Sequence, residues 1–283
     1  MELSSNLTGI FLALIAAATW GGGDFSGGLA SRRSNLFQVL VITSVTGIVL
    51  LMGCALLSGE ALPASNDVLW ALAAGLSGAI GIAALYQALA LGNAASVAPT
   101  SAVLCALLPV VFTMLTSGLP GTTQLIGFLL ALPGIWLVAQ SGNEINEATR
   151  RKSILLAWLA GTTFGGFFIL IAQVQQGAVF FPLVISRFVT LGVALLLLFL
   201  NHSKLPSFRR NPIALLGGLL DTSGNIFYLL AHQFIRLDVV AVISSFYPAT
   251  TVLLSRLVLK ESTTRRQWVG VVLCLGAIVL ITL

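Results

Sequence analysis

The sequence predicts an all-α integral membrane protein, in which ten transmembrane helices form two inverted repeats of five helices each. The first observation is composition: the 283 residues are 57% hydrophobic and only 8% charged, with a mean hydropathy of +1.02. No soluble domain of this length buries so much apolar surface. The second is a series of stretches of about 20 apolar residues, each long enough to cross a bilayer, with short connections between them. The third is a likeness between the two halves of the chain.

The apolar stretches place ten spans along the chain. They cover residues 7–30, 35–58, 67–91, 94–117, 121–140, 153–176, 179–201, 212–235, 238–259 and 264–283. The first span has no basic segment before it, so it is expected to be retained rather than cleaved as a signal. Cys54, Cys105 and Cys274 lie inside spans without metal-ligand spacing, and are expected to pack as small hydrophobic residues.

The two halves of the chain repeat one another. A charged connection, 142–152, separates a first repeat, 1–141, from a second, 153–283. Three motifs recur at nearly the same separation in both halves: Trp20-Gly21-Gly22 with Phe164-Gly165-Gly166, Tyr86 with Tyr228, and 124–127 with 267–270. Because five spans is an odd number, the second repeat must cross the membrane in the opposite direction. Inverted repeats are common in secondary transporters, whose substrate site lies near the midplane between the repeats.

Basic residues predict the orientation. The connections after the odd-numbered spans share one side of the membrane and carry eleven of the 14 lysines and arginines. These are Arg32, Arg33, Arg150, Arg151, Lys152, Lys204, Arg209, Arg210, Lys260, Arg265 and Arg266. The other side carries only Arg236. The positive-inside rule therefore predicts a multi-pass protein of the cell membrane with both termini outside the cytoplasm.

Asp24 is the ionisable residue of the first span, and the sequence around it is rich in glycine. A carboxylate at membrane depth costs a few kcal/mol on insertion scales, so it marks a candidate functional site. The glycines bring the backbone close to a neighbouring helix or a ligand. The alternative is that the glycines serve helix packing and Asp24 bonds a neighbouring helix. Trp20, one turn before Asp24, is a further candidate for binding the substrate.

Polar residues follow one stripe of the eighth span: Asp221, Asn225, Tyr228 and His232. Their spacing puts them on one helix face, and a polar face is not expected to meet lipid. The stripe is predicted to line a cavity, with Asp221, Asn225 and Tyr228 binding the substrate. A structural hydrogen-bond ladder between helices is the alternative. His232 is near the end of the span and is expected to lie at the interface.

Arg187 lies well inside the seventh span, where an unpaired guanidinium would be very costly. Two interpretations stay open. Arg187 forms a salt bridge with Asp24 or Asp221, or it binds a substrate carboxylate with two hydrogen bonds. Tyr86-Gln87 in the third span and Tyr247 in the ninth add aromatic and polar groups to the candidate site. Pro109 and Pro248 are expected to bend their helices.

Longer motifs carry a family resemblance. They are the segments 86–98 and 228–241, the prolines Pro109 and Pro248, Leu259-Lys260-Glu261-Ser262 and 267–270. With these motifs, the chain resembles the EamA-type, ten-span members of the drug/metabolite transporter superfamily over nearly its whole length. The resemblance implies a central cavity lined by spans 1, 3, 4, 6, 8 and 9, with spans 5 and 10 at the periphery. It also implies cytoplasmic termini. The distribution of basic residues predicts external termini instead. We prefer that orientation, because the bias is present in both halves of the chain.

The sequence predicts a secondary active transporter rather than an enzyme. It has no nucleophile elbow, phosphate-binding loop or metal-ligand cluster, and no cofactor is expected. Its net charge of +5 does not predict nucleic-acid binding, because the basic residues adjoin membrane spans. The expected activity is export of a small, amino-acid-like metabolite, coupled to a proton or an exchanged solute, by a monomer or homodimer. The alternatives are efflux of lipophilic cations and drugs, or a non-transporting scaffold or receptor.

Overall fold

The computed structural model describes residues 2–31, 34–90, 94–139, 147–260 and 264–282. Within these ranges the chain is helical and contains no strand. Ten of its helical segments are long and apolar enough to cross a membrane. Large apolar side chains such as Leu69, Phe199 and Leu275 are exposed on the outside of the bundle, where lipid would cover them. The predicted class, an all-α multi-pass membrane protein, is confirmed.

The helices follow the predicted spans closely. In chain order they are α1 (Glu2–Ser31), α2 (Leu36–Ser58), α3 (Ser65–Ala90), α4 (Ala94–Ser117), α5 (Thr122–Ala139), α6 (Glu147–Ile171), α7 (Phe180–Leu200), α8 (Pro212–His232), α9 (Leu237–Ser244), α10 (Tyr247–Leu259) and α11 (Arg265–Thr282). A short 3-10 helix, Phe208–Arg210, precedes α8. The carboxyl-terminal ends of α1, α3, α5, α7 and α10 share one face of the bundle, called the basic face below.

Two predicted spans differ from the helices. The sixth was expected to reach residue 176, but α6 ends at Ile171, and an irregular segment with Gly177 at φ +92° leads into α7. The ninth is divided into α9 and α10 at Ser245 and Phe246. Pro248 in the first turn of α10 has no N–H to continue the ladder from α9, so the break falls just before it. By contrast, α4 runs unbroken across Pro109.

The helix packing has two-fold symmetry between the halves. The first helix of each half packs on the third helix of the other, so α1 contacts α8 and α6 contacts α3. The second helices pair as α2 with α7, the fourth as α4 with α9, and the fifth as α5 with α11. This exchange of partners is the arrangement of two inverted five-helix repeats, as predicted. The part of the predicted boundary at 142–152 that spans 142–146 lies outside the described residues.

Close contact between α1 and α8 positions the candidate site at the interface of the halves. A Cβ added to Gly23 would lie 3.0 Å from the backbone nitrogen of Asp221. On the facing helix, a Cβ added to Gly224 would overlap the indole ring of Trp20. A side chain at Gly224 would force the Trp20 ring to move, and one at Gly23 would press against the backbone of α8.

Candidate functional site

Three charged side chains meet near the centre of the bundle. Arg187 on α7 donates a hydrogen bond through Nη2 to Oδ2 of Asp221 on α8, forming an ion pair. The arginine side chain is 11% exposed and that of Asp221 is 39% exposed. Asp24 on α1 is exposed, and its carboxylate is close enough to Asp221 for the two charges to repel. The cluster therefore contains two carboxylates and one guanidinium.

The backbone of Asp221 is held by two side chains. The indole N–H of Trp20 donates to the Asp221 carbonyl oxygen at 3.1 Å. The side-chain amide of Asn225 donates to the same oxygen at 2.9 Å. A carbonyl oxygen can accept more than one hydrogen bond, so neither donor needs to displace the other. The bond from Trp20 holds the start of the polar stripe of α8 against α1, whereas the bond from Asn225 lies within α8.

Asp24 is exposed on a different side of α1 from the exposed residues that would face lipid. With 3.6 residues per turn, it lies roughly 100–140° around α1 from the lipid-facing, exposed residues Leu7 and Phe11. One turn nearer the basic face, a Cβ added to Gly27 or Gly28 would have no atom within 4 Å. These two positions, between Asp24 and the basic face, therefore leave room for a side chain.

Tyr247 adds a hydroxyl-bearing aromatic side chain near Asp24. It begins α10, is half-buried, and lies close enough to Asp24 for an electrostatic interaction. Its helix is held on α1 by Thr251, whose hydroxyl donates to the Gly21 carbonyl oxygen at 3.1 Å. The break before α10 thus places a tyrosine from the second half beside the carboxylate of the first.

Three aromatic rings pack together on the side of the charged cluster away from the basic face. Phe168 of α6 stacks on Trp20 and on Tyr228, with ring centroids 5.2 and 4.5 Å apart and interplanar angles of 14° and 23°. Trp20 and Tyr228 also contact each other, with ring centroids 5.6 Å apart, so the three rings form a triangle. Tyr228 is fully buried, and its hydroxyl donates to the Phe168 carbonyl oxygen at 3.4 Å. Trp20, Phe168 and Tyr228 are called the aromatic layer below. They lie one to two turns from Asp24 and Asp221, away from the basic face.

Beyond the aromatic layer the protein is polar again. Glutamine side chains and His232 line a cavity of about 230 Å³ at the end of α8. An adjoining cavity of about 450 Å³ shares His232 and reaches Asn6, Gln124 and Arg236. A charged central site, an aromatic layer and a polar vestibule therefore follow one another across the bundle.

The predicted site residues fall into three groups. Trp20, Asp24, Arg187, Asp221, Asn225, Tyr228 and Tyr247 are brought together. Of these, Trp20, Asn225 and Tyr228 are buried and do not face open space in this conformation. Gln87 is exposed on α3, while the side chain of Tyr86 lies outside the described residues. His232, expected at the interface, is half-buried and lines the vestibule.

Two residues of this region were missed by sequence reasoning. Phe168 completes the aromatic layer, and the internal repeat offers a signal for it. Matching Trp20 with Phe164 also matches Asp24 with Phe168. Glu60 accepts hydrogen bonds from the backbone N–H groups of Val179, Phe180 and Phe181 at 3.1, 2.8 and 2.9 Å. It ties the α2–α3 connection to the start of α7, where no local side chain caps the helix.

Among the described residues, no group of histidine, cysteine and carboxylate side chains is placed to hold a metal ion.

Known proteins share the fold of this chain. One solved structure, described only as the crystal structure of a protein, shares the fold with a TM-score of 0.73 and 18% sequence identity. That alignment covers 99% of this chain and 98% of the other. No curated protein sequence matches significantly.

The family comparison agrees with the two-fold packing of the helices. The model of the EamA-like transporter family matches residues 7–140 and matches again at residues 151–283. Each match covers one five-helix half, so together they account for nearly the whole chain. The chain therefore belongs to the EamA-like transporter family, a branch of the drug/metabolite transporter superfamily.

Proposed function

We propose that this protein is a secondary transporter that exports a small, positively charged metabolite by alternating access, and that Asp24 binds the substrate cation. The observation that carries the proposal is the exposed Asp24 carboxylate beside an Arg187–Asp221 ion pair. Membership of a transporter family supports transport, and the cluster supports the charge of the substrate.

The charge of the cluster favours a cation. Asp221 already neutralises Arg187, so the carboxylate of Asp24 is left uncompensated among the three groups. An uncompensated charge away from bulk water is costly, and a bound ammonium group or a proton removes that cost. A coupling proton would compete with the substrate for the same carboxylate. This competition is a simple basis for exchanging protons for substrate across the membrane.

An amino-acid-like substrate is the second candidate. Its amine would bind Asp24, and its carboxylate would require Arg187. A guanidinium has five N–H donors, and the pair with Asp221 uses one of them, which favours this candidate. Against it, the arginine side chain is only 11% exposed, so a substrate carboxylate would have to displace Asp221. The geometry therefore supports an amine or other cation above a zwitterion.

The arrangement of open and closed regions supports the direction of transport. Asp24 is exposed, Gly27 and Gly28 leave room beside α1 toward the basic face, and the aromatic layer lies between Asp24 and the vestibule at the other face. We place the basic face in the cytoplasm and the termini outside, following the positive-inside rule. A substrate entering from the cytoplasm would then leave through the vestibule after the two halves rock around the site.

The test is ligand-dependent thermal stability of the detergent-purified protein, screened against amines, amino acids and lipophilic cations. A ligand at about 100 times its dissociation constant stabilises the fold by roughly 2.7 kcal/mol. Cations are expected to stabilise the natural protein and to lose this effect in Asp24→Asn. The control is Asp67→Asn, because its amide oxygen can still accept the hydrogen bond from Gln175 N.

Two outcomes decide the proposal. An equal response of Asp24→Asn and the natural protein would show that Asp24 does not bind the ligand. If amino acids are the ligands found, Arg187→Gln separates the candidates, because it should abolish binding of a zwitterion and leave binding of a simple cation largely intact.

A further inference from the structure

The connection between α7 and α8, residues 201–211, is an exposed basic segment. Lys204, Arg209 and Arg210 are all exposed, and the segment contains no aspartate or glutamate. Among the described residues, no carboxylate forms a salt bridge with these three cations. Their charge is therefore available to a partner outside the chain.

Apolar side chains stand between the cations. Leu205 is 74% exposed and Phe208 is 38% exposed. Both follow within a few residues of Leu200, the end of a membrane-spanning helix, so they lie at the level of the lipid headgroups. Exposed apolar residues beside lysine and arginine are typical of segments that bind the surface of an anionic membrane.

The backbone of the segment is already ordered. Gln38 donates from Nε2 to the carbonyl oxygen of Lys204 at 2.8 Å, and Asn35 donates to the hydroxyl of Ser203 at 3.2 Å. At the other end, Asn211 is fully buried and donates to the Ala30 carbonyl oxygen at 2.9 Å. Ordering before binding lowers the entropy that a ligand must overcome.

The start of α8 adds to the positive potential. This helix begins at Pro212, directly after the segment, and no side chain caps its first turn. Free N–H groups and the helix dipole make a helix start favourable for a phosphate. Here the helix start supplements three exposed cations and two exposed apolar side chains.

The inverted repeat supplies an internal comparison. Leu62-Pro63, in the α2–α3 connection, occupies the position equivalent to Leu205-Pro206 on the opposite face of the membrane. Leu62 is 81% exposed. Residues 59–64 contain Glu60 but no lysine or arginine. Both faces therefore keep the exposed leucine, and only the basic face surrounds it with cations.

We propose that residues 201–211 bind the headgroup of an anionic phospholipid. Lys204, Arg209 and Arg210 hold the phosphate oxygens, and Leu205 and Phe208 contact the upper part of the acyl chains. Because the segment joins the helices that carry Arg187 and Asp221, the bound lipid also fixes the ends of these helices nearest the basic face.

The test measures lipid binding to the full chain in dodecyl maltoside by native mass spectrometry and by thermal shift. Dioleoyl phosphatidylglycerol is titrated against dioleoyl phosphatidylcholine. The natural protein is expected to bind phosphatidylglycerol at least tenfold more tightly. K204Q/R209Q/R210Q should lose this preference. The control K260Q/R265Q/R266Q removes three charges from the same face and should keep it.

These outcomes distinguish a specific lipid-binding site from a general electrostatic attraction of the basic face for anionic lipid. If both triple variants lose the preference equally, only the net charge of the face matters, and the proposal is wrong. It is equally wrong if the natural protein shows no preference. L205S/F208S keeps every charge and should weaken the binding of phosphatidylglycerol severalfold. Glycerol phosphate, the soluble headgroup alone, should bind far more weakly than the lipid; equal binding would make the segment a free-phosphate site instead.

Discussion

Arg187 has a carboxylate partner at membrane depth, and that partner is itself partly open to water. The guanidinium is mostly buried, whereas the side chain of Asp221 is 39% exposed. Removing one member of a buried ion pair is costly because the other charge is left without compensation. The pair therefore stabilises the junction of α7 and α8, and it also sets the net charge that the central site presents to a ligand.

We expect Asp221→Asn to destabilise the protein by leaving Arg187 unpaired. Breaking a fully buried pair costs about 3–5 kcal/mol. Because water reaches Asp221, about 1–2 kcal/mol is expected here. The free energy of unfolding in a detergent titration measures the effect. The double variant R187Q/D221N removes both charges and should recover most of the loss. Additive losses in the double variant would contradict the pairing energy.

Sequence reasoning could find these residues but could not choose their contacts. Asp24, Arg187 and Asp221 stand out because ionisable residues are rare inside spans. The sequence left both aspartates open as partners of Arg187. Periodicity tells which side of a helix a residue lies on, but not how far along its axis the helix is shifted relative to its neighbour. Phe168 was missed because a phenylalanine inside an apolar span carries no signal of its own.

At the scale of the element, the glycines of α1 differ in what surrounds them. Gly23 touches the backbone of α8, while Gly27, one turn further on, borders open space. Alanine is favoured over glycine inside a helix by about 1 kcal/mol. Packing an extra methyl group against a rigid backbone costs about 1–3 kcal/mol. The two positions therefore make a matched pair on one helix.

We expect Gly23→Ala to lower the free energy of unfolding by about 1 kcal/mol, because the clash exceeds the gain in helix propensity. Gly27→Ala should leave stability unchanged or raise it by up to about 1 kcal/mol. Both are measured by the same detergent titration. A stabilised Gly23→Ala would mean that α1 and α8 are further apart than the structure has them.

The start of α7 depends on a residue from the other half of the protein. Glu60 accepts three backbone hydrogen bonds there, and loss of a helix cap costs about 0.5–2 kcal/mol. We expect Glu60→Ala to destabilise by about 1–2 kcal/mol, and Glu60→Gln, which keeps one acceptor oxygen, by less. Unfolding titrations compare the two. Equal losses would show that the carboxylate charge matters more than the cap.

The elements themselves were largely predictable. Every predicted span corresponds to a helical segment, because long apolar stretches have few other structures open to them in a membrane. The errors lie where a local effect overrides hydropathy. Gln173, Gln175 and Gln176 were included in the sixth span, yet the chain turns there. Pro248 was expected to bend the ninth span, and the helix is interrupted just before it, at Ser245 and Phe246.

At the scale of the whole molecule, exchange of helices between the halves places the site at the interface between them. Asp24 comes from the first half, and Arg187, Asp221 and Tyr247 come from the second. The aromatic layer likewise joins Trp20 of one half to two rings of the other. Relative motion of the halves must therefore change the central site and the aromatic layer together, which is what alternating access requires.

The aromatic layer is expected to prevent leak between the central site and the vestibule. Phe168→Ala removes the ring that stacks on both Trp20 and Tyr228, and it should let small cations such as choline cross proteoliposome membranes without coupling, at several times the natural rate. Phe128→Ala is the control. Phe128 is equally buried but lies in α5, outside the path, and truncation of either phenylalanine costs about 3–5 kcal/mol of stability.

The comparison of the two variants separates a barrier from a packing defect. If Phe168→Ala and Phe128→Ala leak equally, the leak comes from loosened packing and the aromatic layer is not a barrier. If only Phe168→Ala leaks, adding Asp24→Asn tells whether the ions pass the central site. The leak should then fall, because the carboxylate that concentrates cations beside the opened layer is gone.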